Sequence, residues 1–315
     1  MNTEELQRLA LHTRSMREAG ITLLVASGIL AVFLLISPVA LRPSPVSVVV
    51  ATSTAPNAFA DIPLEAKAVV VYDLSTGETL YAKNADAQLP LASLTKLLTV
   101  YAALATLSPE TPITIPENAA AVEGAYTFNV GQTFSLADLA RLTLTGSLND
   151  GAVAIASAVA IRQDRLENEM LAGAAAALNL SQTYAVNGSG LDVSALISGG
   201  YGSARDLALL AGALVERAPA ISAATTRSFA EATSSGGTHF SIKNTDPMTG
   251  TIPRLLLSKT GYTDLAGGNL VLVFDAGVLH PVAIVVLGSL LKERFTDGAA
   301  LVAATLAHFA GVASL

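Results

Sequence analysis

Cysteine and tryptophan are both absent from the 315 residues of this chain. Without cysteine the protein has neither a disulfide framework nor a thiolate metal site. Its four histidines are scattered and form no His-Glu-x-x-His pair, so zinc-dependent hydrolysis is not predicted. The Gly236-Gly237 and Gly267-Gly268 pairs lack the lysine context of a phosphate-binding loop. We therefore expect neither a metal nor an organic cofactor.

Positive charge is also scarce in the sequence. Lysine and arginine number 18 against 25 aspartates and glutamates, which gives a net charge of −7 at pH 7. No stripe of basic residues is available to neutralise phosphates, so nucleic acid is not an expected partner.

An uncharged segment runs from Gly20 to Leu41 near the N-terminus. A helix of roughly 20 apolar residues matches the hydrocarbon core of a bilayer. A buried core helix and a cleaved signal peptide are the alternatives, although no good cleavage site follows the run at once. Arg8, Arg14 and Arg17 precede the run and only Arg42 follows it closely, which favours an N-terminus inside the cell.

Composition divides the chain into four zones. Residues 1–19 are predicted to be a short cytoplasmic tail, and residues 20–41 a transmembrane anchor. Residues 42–62 are rich in Pro, Ser, Thr and Ala, which is typical of a linker. We expect the globular domain to cover residues 63–315, on the outer side of the membrane.

Strand patterns lie at both ends of the globular domain and helical patterns lie in its middle. Residues 66–73 form a β-branched run, and residues 79–82 are predicted to return as its hairpin partner. This order predicts an α+β fold with an antiparallel sheet, flanking helices and an inserted, mostly helical subdomain. Further helices are predicted from Leu91 onward and at 136–144, 152–161, 205–215 and 296–309, and late strands at 254–258, 269–274 and 282–287.

The first candidate motif is Ser93-Leu94-Thr95-Lys96, near the start of a predicted helix. Positions i and i+3 share one face of a helix. A serine hydroxyl becomes a good nucleophile when a base takes its proton, and a partly desolvated lysine can be that base. Taken alone this spacing is common, and a solvated lysine on an amphipathic helix is the more frequent explanation.

A second motif, Ser147-Leu148-Asn149, falls in a predicted turn between two helices. Ser, Asn, Asp and Gly are ordinary turn and N-cap residues, and Asn149 or Asp150 would serve simply to cap the next helix. By itself this motif predicts no chemistry.

The third motif, Lys259-Thr260-Gly261, follows the apolar run of residues 255–258. A lysine, a hydroxyl and a glycine that lets a ligand approach the backbone can hold a substrate carboxylate. A polar strand end entering a turn is the alternative. The sequence has only six lysines, and two of them fall in the first and third motifs, with the Ser-x-Asn motif between them. This order is not expected by chance.

The three motifs in this order resemble those of the serine penicillin-recognising enzymes. The segments PLASLTKLLT, GSLNDGAVAIA, NGSGLD, YGSARDLALLA and KTGYTDLAGGNLV resemble the low-molecular-mass penicillin-binding proteins, the D-alanyl-D-alanine carboxypeptidases. The resemblance runs from about Ala66 to the C-terminus. It implies a β-lactamase/transpeptidase-like fold and a serine carboxypeptidase that trims peptidoglycan stem peptides ending in D-Ala-D-Ala, with β-lactams as covalent inhibitors.

The resemblance also implies a role for each motif residue. Ser93 is the acylating nucleophile and Lys96 its base. Ser147 relays a proton to the leaving nitrogen, while Asn149 binds the substrate backbone and steadies Lys96. The backbone N–H groups of Ser93 and Tyr262 form the oxyanion hole. The implied substrate-binding residues are Lys259, Thr260, Gly261, Tyr262 and Arg294.

Arg294, in the segment LLKERFTDG, is the least specific of these assignments. It matches a family arginine that attracts the substrate carboxylate, but a surface arginine at a helix start explains it equally well. Lys292 beside it further weakens the argument from charge. Leu148 is bulkier than the usual middle residue of its motif, which narrows the entrance if its side chain points inward.

A β-lactamase, a D,D-endopeptidase and a non-catalytic peptidoglycan-binding protein are the rival interpretations. Class A β-lactamases position the deacylating water with a Glu-x-x-Leu-Asn glutamate. An endopeptidase would use the same residues as a carboxypeptidase, and a non-catalytic role is disfavoured because every catalytic position is intact. Asp150 and Asp206 are typical of helix-cap or structural acids. The glutamates between the second and third motifs do not open the lactamase pattern: Glu167, Glu169, Glu216 and Glu231.

Overall fold

The computed structural model of the chain describes residues 3–35, 57–124 and 126–311. It consists of two units, Met1–Ser53 and Thr54–Leu315.

The first unit contains helix α1, Thr3–Leu35. Arg14 and Glu18 lie one turn apart on it and form a salt bridge of 3.4 Å. In the described ranges, no helix combines the length and apolarity required to cross a membrane. The last part of the predicted anchor, residues 36–41, lies outside the described residues, as does the predicted linker up to residue 56.

The second unit is built on a five-stranded antiparallel sheet, as the sequence predicts. Its strands are β1 (Ala68–Asp73), β2 (Thr79–Lys83), β10 (Leu255–Thr263), β11 (Gly267–Asp275) and β12 (Pro281–Ser289). Ala68 pairs with Leu287 and Asp73 with Val282. The strands follow the order β10-β11-β12-β1-β2 in the sheet, so the first and last of its strands along the chain, β1 and β12, are neighbours.

Helices and small sheets complete this unit. The helices are α2 (Thr95–Thr106), α3 (Glu117–Ala120), α4 (Leu136–Gly146), α5 (Asn149–Gln163), α6 (Glu167–Ala177), α7 (Ala204–Arg217), α8 (Pro219–Ala224) and α9 (Glu293–Phe309). The short strands are β3 (Leu89–Pro90), β4 (Pro112–Thr114), β5 (Thr133–Ser135), β6 (Tyr184–Ala185), β7 (Gly200–Gly202), β8 (Phe229–Thr233) and β9 (His239–Lys243).

Both faces of the central strands are buried, which explains their nearly continuous apolar sequences. Successive side chains of a strand point to opposite faces. Val70 and Val285 therefore belong to one core cluster, which includes Leu210 of α7. Val69 belongs to the other, which includes Leu301 of α9. The sheet is thus a middle layer between helices, and the elements between β2 and β10 form the inserted, mostly helical part.

The second motif lies where the structure changes from α4 to α5. Ser135 caps the start of α4 by accepting a hydrogen bond from Asp138 N at 3.1 Å. The helix ends at Gly146, and Ser147 then adopts a left-handed backbone with φ 58°. Helix α5 begins at Asn149. The predicted interhelical turn is confirmed, and it projects Ser147 and Asn149 from the ends of two buried helices.

The globular unit extends to the N-terminal side of Pro63. Ala58 and Phe59 are buried in the cluster that α9 covers. The Phe59 ring stacks on Tyr81 of β2 with 5.7 Å between centroids. Composition alone assigned these residues to a linker because the segment around them is rich in alanine and polar side chains.

Candidate active site

The first motif forms a turn and the start of a helix beneath one edge of the sheet. Ser93 lies in a 3₁₀ turn, Ala92–Leu94, that leads directly into α2. Ala92 has a left-handed backbone with φ 48°, a conformation that is strained for a residue with a Cβ. Leu91 and Leu94 are buried on either side, and their packing holds the turn in place. Ser93 is thereby presented at the end of a rigid element.

Lys96 is fully buried, and its ammonium group is surrounded by hydrogen-bond acceptors. Its Nζ lies 2.8 Å from Ser93 Oγ, 2.8 Å from Asn149 Oδ1 and 2.7 Å from the Ser189 carbonyl oxygen. Burial lowers the pKa of Lys96 to about 7, although the nearby Asp150 carboxylate opposes this shift. A large fraction of Lys96 is therefore a neutral amine at neutral pH, in contact with the serine hydroxyl.

The Asn149 side chain is held in one orientation. Its Nδ2 donates to the Glu123 carbonyl oxygen at 2.9 Å, which turns Oδ1 toward Lys96. Asp150, the next residue, is completely buried and accepts hydrogen bonds from Thr127 N and Phe128 N at 3.1 Å each. These contacts fix the loop around residue 127 against α5, so Asp150 acts as a structural acid whose charge also reaches Lys96.

A second serine–lysine pair faces the first. Lys259 Nζ donates to Ser147 Oγ at 2.8 Å and to the Thr260 carbonyl oxygen at 2.7 Å. Lys259 is 1% exposed. Its pKa is held well below the ordinary value by burial first, and then by the positive charges of Lys96 and Arg294.

The third motif lies inside β10, not at its end, because the strand continues to Thr263. Thr260 Oγ1 lies 2.6 Å from Thr245 Oγ1. A Cβ on Gly261 would come within 2.9 Å of the Leu91 carbonyl oxygen. Glycine at this position allows β10 to approach the turn that carries Ser93, so the first and third motifs share one wall.

Arg294 is buried and lies against the same strand. It is 7% exposed, and its Nη1 donates to the Gly261 carbonyl oxygen at 2.7 Å. Burial lowers its pKa, and the nearby Asp246 carboxylate opposes this. The alternative of a surface arginine does not fit this position. Tyr262, two residues beyond Thr260, is 45% exposed at the mouth of the site.

The structure therefore brings the three motifs together and adds a contact that the motifs do not contain. Ser189 provides a backbone carbonyl to Lys96, and only its position within the segment NGSGLD connects it with the site. In the part of the chain that the structure describes, no group of three His, Cys, Asp or Glu side chains is placed to hold a metal ion. The arrangement joins a hydroxyl nucleophile, a neutral amine base and cationic groups, which suits acyl transfer.

The chain is similar to one family of known proteins. A model of the D-alanyl-D-alanine carboxypeptidase family matches residues 51–290. The D-alanyl-D-alanine carboxypeptidase DacF of Bacillus subtilis is 27% identical over 265 residues, which are 76% of this chain. A D-alanyl-D-alanine endopeptidase of Pseudomonas aeruginosa is 30% identical over 265 residues, which are 81% of this chain and 83% of that relative.

Among solved structures, penicillin-binding protein D2 of Listeria monocytogenes in its ampicillin-bound form is similar, with a TM-score of 0.66 and 29% identity. The match covers 78% of this chain and 98% of that one. Some curated relatives are longer: the chain spans 64% of the Bacillus subtilis protein and 44% of DacC of Escherichia coli.

Proposed function

Because the chain belongs to the D-alanyl-D-alanine carboxypeptidase family of serine peptidases, we propose that it removes the terminal D-alanine from peptidoglycan stem peptides through an acyl-enzyme on Ser93. The observation that carries this proposal is the 2.8 Å contact between Ser93 Oγ and Lys96 Nζ. The pKa of Lys96, about 7, makes it a base suited to neutral pH.

In the first step, the neutral Lys96 amine takes the proton of Ser93 while Oγ bonds to the carbonyl carbon of the penultimate D-alanine. The negative charge on the carbonyl oxygen is stabilised by the backbone N–H groups of Ser93 and Tyr262. Each such donor typically contributes about 2.7–4 kcal/mol to lowering the barrier.

The second serine–lysine pair assists the departure of the leaving group. Ser147 relays the proton that Lys96 took from Ser93 to the nitrogen of the terminal D-alanine as the C–N bond breaks, so Ser147 gains one proton as it gives up another and Lys96 becomes a neutral amine again. The Ser147 hydroxyl is held in place by Lys259 at 2.8 Å. Thr260, Lys259 and Arg294 hold the terminal carboxylate, whose negative charge favours the ammonium form of Lys259. Water then hydrolyses the ester on Ser93 and regenerates the serine hydroxyl.

The rest of the stem peptide is proposed to lie in a groove that begins at Tyr262. This groove has a volume of about 460 Å³ and is lined by Glu123, Leu191, Asp192 and Thr263, among others. It follows the exposed end of β10, so an extended peptide would run beside that strand. β-Lactams are proposed as covalent inhibitors because they present a reactive carbonyl to Ser93 and leave no departing fragment.

A D,D-endopeptidase activity is the second candidate. It is favoured by the 30% identity to the Pseudomonas aeruginosa endopeptidase, which extends over 83% of that relative. The chemistry is the same, and only the group attached to the leaving nitrogen differs.

The test uses the full chain in mild detergent beside its Ser93→Ala variant. Each is incubated with a fluorescent penicillin, with a peptide ending in D-Ala-D-Ala and with a cross-linked stem-peptide dimer. We expect a penicilloyl adduct by intact mass on the parent alone, together with D-alanine release from the linear peptide. Cleavage of the dimer without D-alanine release would assign the endopeptidase activity instead.

Two results would contradict the proposal. If the folded parent forms no adduct and releases no D-alanine, the site is not catalytic. If the adduct forms and then disappears rapidly with loss of the β-lactam, the protein is a β-lactamase.

We also propose that the enzyme acts outside the cytoplasmic membrane, with its N-terminus inside and an anchor within residues 20–41. The support is the uncharged sequence of that segment and the arginines that precede it. Membrane fractionation, followed by protease treatment of intact spheroplasts, tests this location. Full protection of the globular unit in spheroplasts would contradict it.

A further inference from the structure

Glu167 is a partly buried acid that the proposed mechanism does not use. It is the first residue of α6, and its Oε1 accepts a hydrogen bond from Gly188 N. Burial raises the pKa of this carboxyl, and the Gly188 hydrogen bond opposes the rise. Glu169, on the same helical turn, instead faces solvent near Arg165, with 4.0 Å between Oε2 and Nε.

The loop that Glu167 holds, residues 187–191, contains the carbonyl that binds the catalytic base. Gly188 is fixed on its other side as well, because its carbonyl oxygen accepts from Thr99 Oγ1 at 2.8 Å. The following residue, Ser189, places its carbonyl oxygen 2.7 Å from Lys96 Nζ. Glu167 therefore binds Gly188, the residue that precedes a direct partner of Lys96.

The same loop also lies against the turn that carries the nucleophile. A Cβ on Gly190 would come within 1.9 Å of the Ala92 carbonyl oxygen, and Gly190 has a φ of +76°. A Cβ on Gly188 would come within 2.9 Å of Glu167 Oε1 and 2.7 Å of Ala156 Cβ. The backbone thus approaches closely at both glycines, so a displacement at Gly188 has little room to be absorbed before it reaches Ser189 and Ala92.

We propose that Glu167 is a positioning residue for the acyl-transfer reaction, which holds loop 187–191 so that the Ser189 carbonyl aligns Lys96 with Ser93. This inference rests on the proposed function of the Ser93–Lys96 pair. This role differs from that of the deacylating glutamate of β-lactamases, because the Glu167 carboxylate binds the loop whose Ser189 carbonyl contacts Lys96.

The test compares three variants of the full chain with the parent. Glu167→Leu removes the acceptor and leaves Gly188 N–H unpaired. Glu167→Gln keeps an acceptor oxygen of the same reach. Glu169→Gln is the matched control, because it removes an exposed carboxylate from the same turn. The readout is the rate of Ser93 acylation by fluorescent penicillin from pH 5 to 10, normalised to the folded fraction measured by circular dichroism.

For Glu167→Leu we expect the plateau rate to fall about tenfold, which corresponds to the loss of one well-formed hydrogen bond in a buried network. Its pH midpoint should move to lower pH by more than about 0.5 unit, because the Ser189 carbonyl favours the ammonium form of Lys96. The charged groups near Lys96 are unchanged in all variants: Asp150 on α5, which raises the pKa of Lys96, and Lys259 on β10, whose own pKa is lowered by Lys96. Glu167→Gln should stay within about threefold of the parent because its amide oxygen replaces the acceptor.

The inference is overturned if Glu167→Leu acylates with the parent's plateau and midpoint, even when it melts at a lower temperature, because Glu167 is then only structural. It is also overturned if Glu167→Gln falls as far as Glu167→Leu. If Glu167→Leu does not fold, Thr99→Val removes the other hydrogen bond to Gly188 and should reproduce the smaller rate and the shifted midpoint. A parent that is not acylated at all contradicts the proposed function instead, and so distinguishes the two failures.

Discussion

Lys96 and Lys259 in the site and Asp297 on the other side of the sheet are all buried ionisable groups, but their partners differ. Asp297 accepts hydrogen bonds from Glu65 N at 3.2 Å, Ala66 N at 3.0 Å and Ser289 Oγ at 2.8 Å. The two lysines contact hydroxyl, amide and carbonyl oxygens. In the described part of the chain, neither lysine forms a salt bridge with an acid.

This difference separates a structural buried charge from a functional one. Three donors compensate a buried carboxylate for lost hydration and join the entry to β1, the end of β12 and α9. The acceptors around Lys96 do not fully offset the hydration that its ammonium group loses on burial, and the pKa of Lys96 falls to about 7. The site therefore gives up some stability to obtain a base, a pattern common in active sites.

The largest effect is expected when the base is removed. Lys96→Met fills the same volume without an amine, so acylation of Ser93 should fall about 10³-fold, within the usual range for a general base. The rate of penicilloyl-adduct formation measures this. Lys243→Met, at an exposed lysine of β9, is the matched control and should acylate like the parent. Retention of more than a tenth of the parent rate by Lys96→Met would mean that another group takes the serine proton.

Asp297 should show the opposite pattern. Asp297→Ala leaves three donors without their acceptor, and we expect the free energy of unfolding to fall by about 3 kcal/mol. Denaturant unfolding measures this loss, with Glu78→Gln at an exposed acid as the control. Acylation per folded molecule should stay at the parent level. If Asp297→Ala lost acylation but little stability, Asp297 would be a functional group like the active-site lysines and not a structural one.

The sheet was predictable because both of its faces are buried, so β1, β11 and β12 are encoded as unbroken β-branched and apolar runs. The hairpin β8–β9 was not predicted. Exposed positions alternate with buried ones in β8 and with half-buried ones in β9, and the segments FAEAT and HFSIK contain few β-branched residues. Short strands of that kind depend on tertiary packing more than on local sequence.

The sequence predicted the motif side chains of the candidate site. It did not predict the backbone groups that contact them or how deeply each side chain is buried. The structure brings Ser93, Lys96, Ser147, Asn149 and the third motif together, and the roles that the resemblance implies for them stay predictions. The Ser189 carbonyl is a backbone group and has no sequence signature. Arg294 lies among charged residues in LLKER, so its sequence does not predict an exposure of only 7%. The burial arises because α9 packs against β11 and β12, which brings the Arg294 side chain to the Gly261 carbonyl of β10.

The pH dependence of acylation should give the smallest and most diagnostic effect. Lys96 must be neutral to accept the proton, so the rate should rise about tenfold per pH unit below a midpoint and level above it. The pKa of Lys96, about 7, sets that midpoint. Because the Asp150 charge opposes the lowering of this pKa, the Asp150→Asn midpoint should move to lower pH.

Penicilloyl-adduct rates from pH 5 to 10 in the parent and in Asp150→Asn measure both midpoints. If burial controls the pKa of Lys96, the pH midpoint of the parent should lie far below the ordinary lysine pKa of about 10.4. A midpoint above pH 9 would mean that the acceptors around Lys96 hold it as an ammonium ion. In that case Lys96 would be a structural residue, as Asp297 is, and another group in the site would have to act as the base for Ser93.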